Sequence, residues 1–274
     1  MTGFMTGRRS VTLLSALAFG YAFLYLPIVI LIIYSFNDSR LVTVWSHASL
    51  RWYAALLENQ QMLDAAWLSL RIAAVSATVS VALGTAAAFA LQRLKPFFAQ
   101  RGYEALALMP LIVPEVLIGL SMLLLFVVLG ETIGWPQRGA TTIALAHASF
   151  GMAYATVVIR ARLTQLDPAL DEAAAILGAT PWRTFRRVTL PLLAPAIVAG
   201  WLLSFTLSLD DVVVASFVTG PGASTLPIVV FSSVRLGVSP QINALATVIV
   251  VLVAVLILTA TLMTRSGQRG GRRA

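Results

Sequence analysis

The sequence predicts an all-α polytopic membrane protein with six transmembrane helices and both termini in the cytoplasm. Three observations lead there. The first is composition: of 274 residues, 59% are hydrophobic and 11% charged, against roughly 45–50% and about 25% in an ordinary soluble domain. A surface so poor in charge suits lipid and argues against an aqueous enzyme, a disordered chain or a nucleic-acid binder. The second is a series of apolar runs long enough to cross a hydrocarbon layer ~30 Å thick. The third is the placement of basic residues, which membrane proteins retain on the cytoplasmic side. With the amino terminus inside, the inner segments hold Arg8, Arg9, Arg93, Lys95, Arg101, Arg160, Arg162, Arg183, Arg186, Arg187, Arg265, Arg269, Arg272 and Arg273, and the outer segments hold Arg40, Arg51, Arg71, Arg138 and Arg235. That division also accounts for the formal net charge of +8 without a nucleic-acid partner.

The elements follow in chain order. Residues 11–36 carry no charge and exceed the roughly 7–15 apolar residues of a signal peptide, so they form an uncleaved first span. Arg8 and Arg9 resemble a twin-arginine export signal, but such signals serve soluble cargo and this chain keeps returning to the membrane. Outside, Ser49 caps a short helix in which Leu50, Tyr53, Leu56 and Leu57 recur at helical spacing. With Trp45, Trp52 and Trp67 nearby it reads as a surface-lying helix with aromatic anchors rather than a ligand-stacking site. The second span is 67–92, with Arg71 near its outer end, and the third is 103–129, interrupted by Pro110, Pro114 and Glu115. The remaining spans are 139–160, 191–218 and 243–264. Between the last two, Thr219-Gly220-Pro221-Gly222 and Leu226-Pro227 mark a long loop or re-entrant segment. Residues 1–274 thus read as a single transmembrane domain, and the last ten residues suit anionic lipid as well.

Several chemistries are excluded by what is missing. There is no cysteine, so disulfides, thiolate zinc sites, iron–sulfur clusters and a cysteine nucleophile are ruled out. His47 and His147 stand a hundred residues apart and read as a loop histidine and a packed one, not as metal ligands. The single lysine, Lys95, precedes Pro96 and follows no glycine-rich stretch, so the chain has no phosphate loop and does not itself hydrolyse ATP. No H-E-x-x-H or G-x-S-x-G motif occurs, so neither an enzymatic role nor a cofactor is expected.

The inner loop of residues 161–190 punctuates itself twice. Asp167 is an N-cap with Pro168 at the first helical position, Gly178 supplies a left-handed residue that ends the helix, and Thr180-Pro181 repeats the start signal. Two short helices joined by a glycine hinge are expected. The first, 168–177, is only ~15 Å long; such a helix needs packing to hold it, and Ala173 to Ala175 offer a low-profile face to another protein's groove.

The spacing Glu172-Ala173-Ala174, three residues, Gly178, nine residues, then Val188-Thr189-Leu190-Pro191 resembles the E-A-A…G…I-x-L-P loop of inner-membrane permeases of binding-protein-dependent ABC importers. Val188 stands where isoleucine is usual. The resemblance implies a type I ABC importer permease fold in the bacterial inner membrane. It also implies that Glu172, Ala173, Ala174, Gly178, Leu190 and Pro191 belong to the coupling segment that docks on a cytoplasmic ATPase. Further along, Ser208-Leu209-Asp210-Asp211 through Gly222, Phe231 to Arg235 and Ile242 to Thr247 resemble the second permease of polyamine importers, the putrescine type first and spermidine as an alternative. This implies a heterodimeric partner permease, two ATPase subunits that bind ATP and Mg, and a periplasmic polyamine-binding protein.

Three carboxylates fall inside expected spans: Glu115, Asp210 and Asp211. An intramembrane charge costs about 2.5–3.5 kcal/mol on insertion scales, so such residues face a cavity or a partner. Glu115 is expected about 12 residues into its helix, near the midplane, and Asp210 in the outer half of the fifth span. Neighbouring helical residues point about 100° apart, so Asp210 and Asp211 are not expected to face one pathway together. The rival reading is a stand-alone secondary transporter using these acids as a proton relay, which leaves the E-A-A loop without a purpose.

Overall fold

Proline and glycine punctuation divides the chain into helices, and among the described residues the only β pairing is an isolated bridge between Asn37 and Ala48. The computed structural model describes residues 4–41, 44–93, 98–236, 240–251 and 254–255. Lys95, Arg265, Arg269, Arg272, Arg273 and the later part of the expected sixth span lie outside them. The helices are α1 (Phe4–Ser35), α2 (Arg51–Glu58), α3 (Gln60–Arg93), α4 (Gln100–Leu108), α5 (Glu115–Ile133), α6 (Ala140–Leu163), α7 (Ala169–Ile176), α8 (Pro181–Thr184), α9 (Leu190–Asp210), α10 (Val213–Val218) and α11 (Leu226–Leu236). A further apolar helix, α12, covers Pro240–Val251. Among the described residues, five stretches are long and apolar enough to cross a membrane: α1 from Val11, α3, α5, α6 and the continuous helical stretch Pro181–Asp210.

The described residues form two compact units, one of residues 1–63 with 232–274 and one of residues 64–231. In the first, α1 is apolar all round from Val11 onward, and Phe19 and Phe23 stay more than 70% exposed, as a helix bathed in lipid requires. After it, buried Asn37 organises the turn, donating to the Val44 carbonyl at 2.7 Å and accepting from the Ser46 N–H at 3.0 Å. The expected surface helix is α2, and Ser49 Oγ accepts from the Arg51 N–H at 3.1 Å. Its inward face differs from the expected one: Trp52 and Leu56 are buried whereas Leu50 and Leu57 are exposed. The indole N–H of Trp52 donates to the Asn37 carbonyl at 2.8 Å, and that bond selects the face.

The second unit is built on a seam of small residues. Membrane helices gain nothing from burying apolar surface against one another, so close backbone approach and polar contacts hold them. At Gly151 of α6, an added Cβ would lie 3.2 Å from Ser80 Cβ of α3 and 3.4 Å from Ser204 Cβ of α9. Ser80 donates to the Ala148 carbonyl at 3.1 Å and Ser204 to the Gly151 carbonyl at 3.2 Å, which joins the three helices at one level. Above and below, Ile143, Phe126, Val214 and Val218 form one apolar cluster, and Ile159, Leu163, Leu193 and Ala88 another.

Three spans differ from the expected outline, the second by starting at Gln60 and not at 67. The third is not one helix: α4 passes into a 3-10 turn at Met109–Leu111, and α5 restarts at Glu115 after an extended Pro114. Pro110 and Pro114 lack the N–H groups an uninterrupted helix needs, and each disfavours helical geometry before it. Glu115 is therefore the first residue of a 19-residue helix, not one about twelve residues in. The fifth span begins earlier than expected and its helix also ends earlier, at Asp210 and not at 218. Instead of a separate short helix after Gly178, α8 runs through a π-helical turn, Phe185–Thr189, straight into α9. The Leu190 N–H reaches back to the Phe185 carbonyl, and this wider turn absorbs the missing N–H of Pro191.

Candidate functional site

The loop that follows α6 is shaped by local caps. Asp167 accepts from the Ala169 N–H at 2.9 Å and so starts α7. The helix ends in a Schellman arrangement: the Ala179 N–H donates to the Ala174 carbonyl at 3.0 Å, the Gly178 N–H to the Ala175 carbonyl at 2.9 Å, and Gly178 has φ +78°. Thr180 then accepts from the Arg183 N–H at 3.4 Å, with Pro181 in the first turn of α8. Gly178 and the pair Thr180-Pro181 stand where the sequence places them, whereas Pro168, expected as the first helical residue, is the N-cap and the helix begins at Ala169.

Of the residues singled out there, Glu172 and Ala173 are exposed and Ala174 is half-buried on α7; Gly178 is exposed at its end. Leu190, half-buried, and Pro191, exposed, begin α9. The structure adds residues the sequence reading passed over. Ile176 and Leu177 are each 86% exposed, and Trp182 is 68% exposed. Three large apolar side chains gathered around the glycine turn make a patch that water covers poorly. Behind it, Phe89, Asp171, Ala175, Phe185 and Thr189 line a cleft of about 250 Å³. Asp171 accepts from Thr189 at 3.4 Å and pairs with Arg93 Nη1 at 3.3 Å, while Trp182 stacks on Phe185, which meets Phe89 edge-on. Thus α7 is fastened to the end of α3 and to the start of the long helix.

At the other end of α9 the chain breaks. Asp210 is its last residue, and Asp211 turns extended at φ −68°, ψ 126° before α10. Asp211 accepts from the backbone N–H of Val214 at 3.3 Å and of Ala215 at 2.7 Å, so it caps the short helix that follows. Its carboxylate also meets His147 Nε2 at 3.1 Å, and its side chain is only 6% exposed. The other ring nitrogen of His147, Nδ1, lies 2.6 Å from Ser208 Oγ, which accepts from Ser76 at 3.0 Å. Four side chains from α3, α6, α9 and the break make one buried polar chain. The carboxylate of Asp210 is exposed, and among the described residues it has no ion pair. The two aspartates thus occupy different environments, because the helix ends between them and not because of the offset of about 100° expected within one helix.

Among the described residues, no ion pair joins Glu115 to this network. It is exposed and stands one turn, ~6 Å of rise, before Gly119, which packs on Val214 and Phe217 of α10. His147 was expected to be merely packed; its role is visible only once residues 76, 147, 208 and 211 are brought together. The single hint in sequence was that a histidine in an uncharged run needs a polar partner.

Residues 80–269 match the model of a family described as binding-protein-dependent transport system inner membrane component. The chain belongs to that family. It is thus an inner-membrane component of a binding-protein-dependent transport system. It is 55% identical over 242 residues to the putrescine transport system permease protein PotI of Escherichia coli strain K12, covering 88% of this chain and 86% of that protein. It is 40% identical over 250 residues to the spermidine/putrescine transport system permease protein PotC of the same organism, covering 91% and 92%. A bacterial ABC transporter involved in the import of the acidic polysaccharide alginate shares its fold, with a TM-score of 0.74, 17% identity and coverage of 93% and 94%. These relatives support the ATP-driven importer over the stand-alone proton-coupled transporter.

Proposed function

We propose that this chain is one of two permease subunits of an ATP-driven importer that carries a polyamine, putrescine first and spermidine as the alternative, across the inner membrane. Its partners are a second permease, two cytoplasmic ATPase subunits that bind ATP and Mg, and a periplasmic polyamine-binding protein. The chain itself supplies no catalytic group and no cofactor. It crosses the membrane six times with both termini in the cytoplasm, and residues 161–190 face the ATPases.

The observation that carries this reading is the bare apolar patch of Ile176 and Leu177 beside exposed Glu172, on a helix fastened by Asp171 to the membrane helices. Apolar side chains on a charged, water-facing loop are stabilised when a partner covers them. Glu172, Ala173, Ala174 and Gly178 form the docking segment, and Leu190 and Pro191 pass its movement into the long helix. The substrate class follows from the names of the relatives and from Asp210. A carboxylate about 4 Å from an ammonium gains up to ~4 kcal/mol at an effective dielectric of 20, so an exposed acid at a helix break offsets part of the desolvation of a diammonium ion. Glu115 serves the same route, and Asp211 holds the break.

The test is co-purification. With Ile176→Asp and Leu177→Asp together, the partner permease is retained and the ATPase subunits are lost. Full retention of the ATPases would remove the docking assignment.

A further inference from the structure

His147 touches both sides of Asp210. Its Nδ1 meets Ser208, two residues before that aspartate, at 2.6 Å, and its Nε2 meets Asp211, one residue after it, at 3.1 Å. The ring is 1% exposed and sits on α6, which is fixed at this level by Gly151 against Ser80 and Ser204. A carboxylate only accepts, so the Nε2 facing Asp211 carries a hydrogen. With the ring neutral, Nδ1 accepts from the Ser208 hydroxyl, and Ser208 in turn accepts from Ser76. Every link then has one hydrogen, all pointing toward Asp211. Asp211 also accepts from the Val214 and Ala215 N–H groups, so three of its roughly four acceptor sites are already used inside the protein.

We infer that His147 is a positioning residue for the translocation route. By holding Ser208 and Asp211 it fixes the last turn of α9 and the start of α10, and so sets the direction in which Asp210 presents its carboxylate. The inference rests on the reading of Asp210 as a route residue, but the orientation it describes exists whether or not a polyamine is carried. A break between two helices has no intrinsic geometry. The far end of α10 is held by its apolar face and by Thr142, which donates to the Val218 carbonyl at 2.7 Å, while at the break itself His147 joins the last turn of α9 to the residue that caps α10.

The chain contains no cysteine, so one introduced at position 210 is the only thiol in this subunit. In the assembled transporter, reconstituted without polyamine, Asp210→Cys is modified with a small water-soluble cationic methanethiosulfonate and the rate is measured. A second subunit carries Ser224→Cys instead, at an exposed position in the turn before α11. Adding His147→Ala changes the rate at 210 by at least about tenfold, the population change expected from losing one hydrogen bond to a charged group. The rate at 224 stays within about twofold of its starting value by the same arithmetic. His147→Gln keeps a donor near the Nε2 position and loses the contact with Ser208, so it gives an intermediate rate and covers the case in which alanine disrupts assembly. An unchanged rate at 210 in both variants overturns the positioning role, as does an equal change at 224. Because labelling needs no transport, a failure of the polyamine reading appears separately, as wild-type labelling behaviour with no polyamine uptake.

Discussion

The guanidinium of Arg93 lies 3.3 Å from the carboxylate of Asp171, joining the last turn of a 34-residue helix to the eight-residue α7. Arg93 also donates to the Leu166 carbonyl at 3.5 Å, and Asp171 accepts from Thr189 at the foot of α9. One ion pair therefore collects the loop helix and two membrane helices at a single point. A short helix tied in this way cannot be displaced without pulling on α3 and α9.

From that tie, Asp171→Asn and Arg93→Gln lower polyamine uptake several-fold while the complex still assembles, because a half-buried pair of this kind holds α7 by about 1 kcal/mol. The measurement is uptake per ATP hydrolysed in proteoliposomes. The exchange Arg93→Asp with Asp171→Arg recovers part of the lost coupling. An unchanged ratio in both single variants speaks against the tie as a transmission point.

If α7 docks on the ATPases as proposed, Glu172→Lys reverses an exposed charge there and abolishes uptake with insertion intact. Gly178→Val acts differently. An added Cβ there meets nothing within 4 Å, so the cost is conformational, about 1 kcal/mol or more for a β-branched residue at φ +78°. Binding-protein-stimulated ATP hydrolysis is the readout, and normal stimulation in both variants contradicts the coupling assignment.

Asp210→Asn and Asp211→Ala separate by phenotype. The first removes an exposed charge that has no ion pair among the described residues, so uptake slows in an intact complex. The second leaves His147 Nε2 and two backbone N–H groups without their acceptor, at roughly 1–3 kcal/mol for each buried orphan, and reduces the amount of assembled complex. Quantifying complex by gel filtration beside uptake distinguishes them; identical behaviour of the two variants would contradict the division of roles.

Gly151→Val overpacks the seam of α3, α6 and α9. The neighbouring Ser80 and Ser204 side chains must shift, at about 1–3 kcal/mol, and thermal stability of the detergent-solubilised complex falls. Substituting half-buried Gly20, where an added Cβ meets nothing within 4 Å, leaves it unchanged.

What sequence makes legible here is local. Asp167, Gly178 and Thr180 act within one turn of chain, so the outline of α7 and its neighbours follows from residue type and spacing. The apolar runs show the long helices for the same reason, because lipid acts on every residue alike. The helix that continues through Pro191 was hidden: a proline ordinarily marks a start, and only the π turn of Phe185–Thr189 makes room for it. The level of Glu115 was hidden by two prolines that restart the helix. The His147 chain was hidden most completely, since residues 76, 147 and the pair 208 and 211 meet only after three separate segments have packed.

The most direct measurement is uptake of labelled putrescine by cells or vesicles that contain the whole transporter, under two separate treatments. In one, ATP is depleted while the proton gradient is held; in the other, the gradient is collapsed while ATP is held. An ATP-driven importer loses uptake in the first and keeps it in the second, and Glu172→Lys abolishes it in both. Uptake that survives ATP depletion and disappears with the gradient would contradict the account.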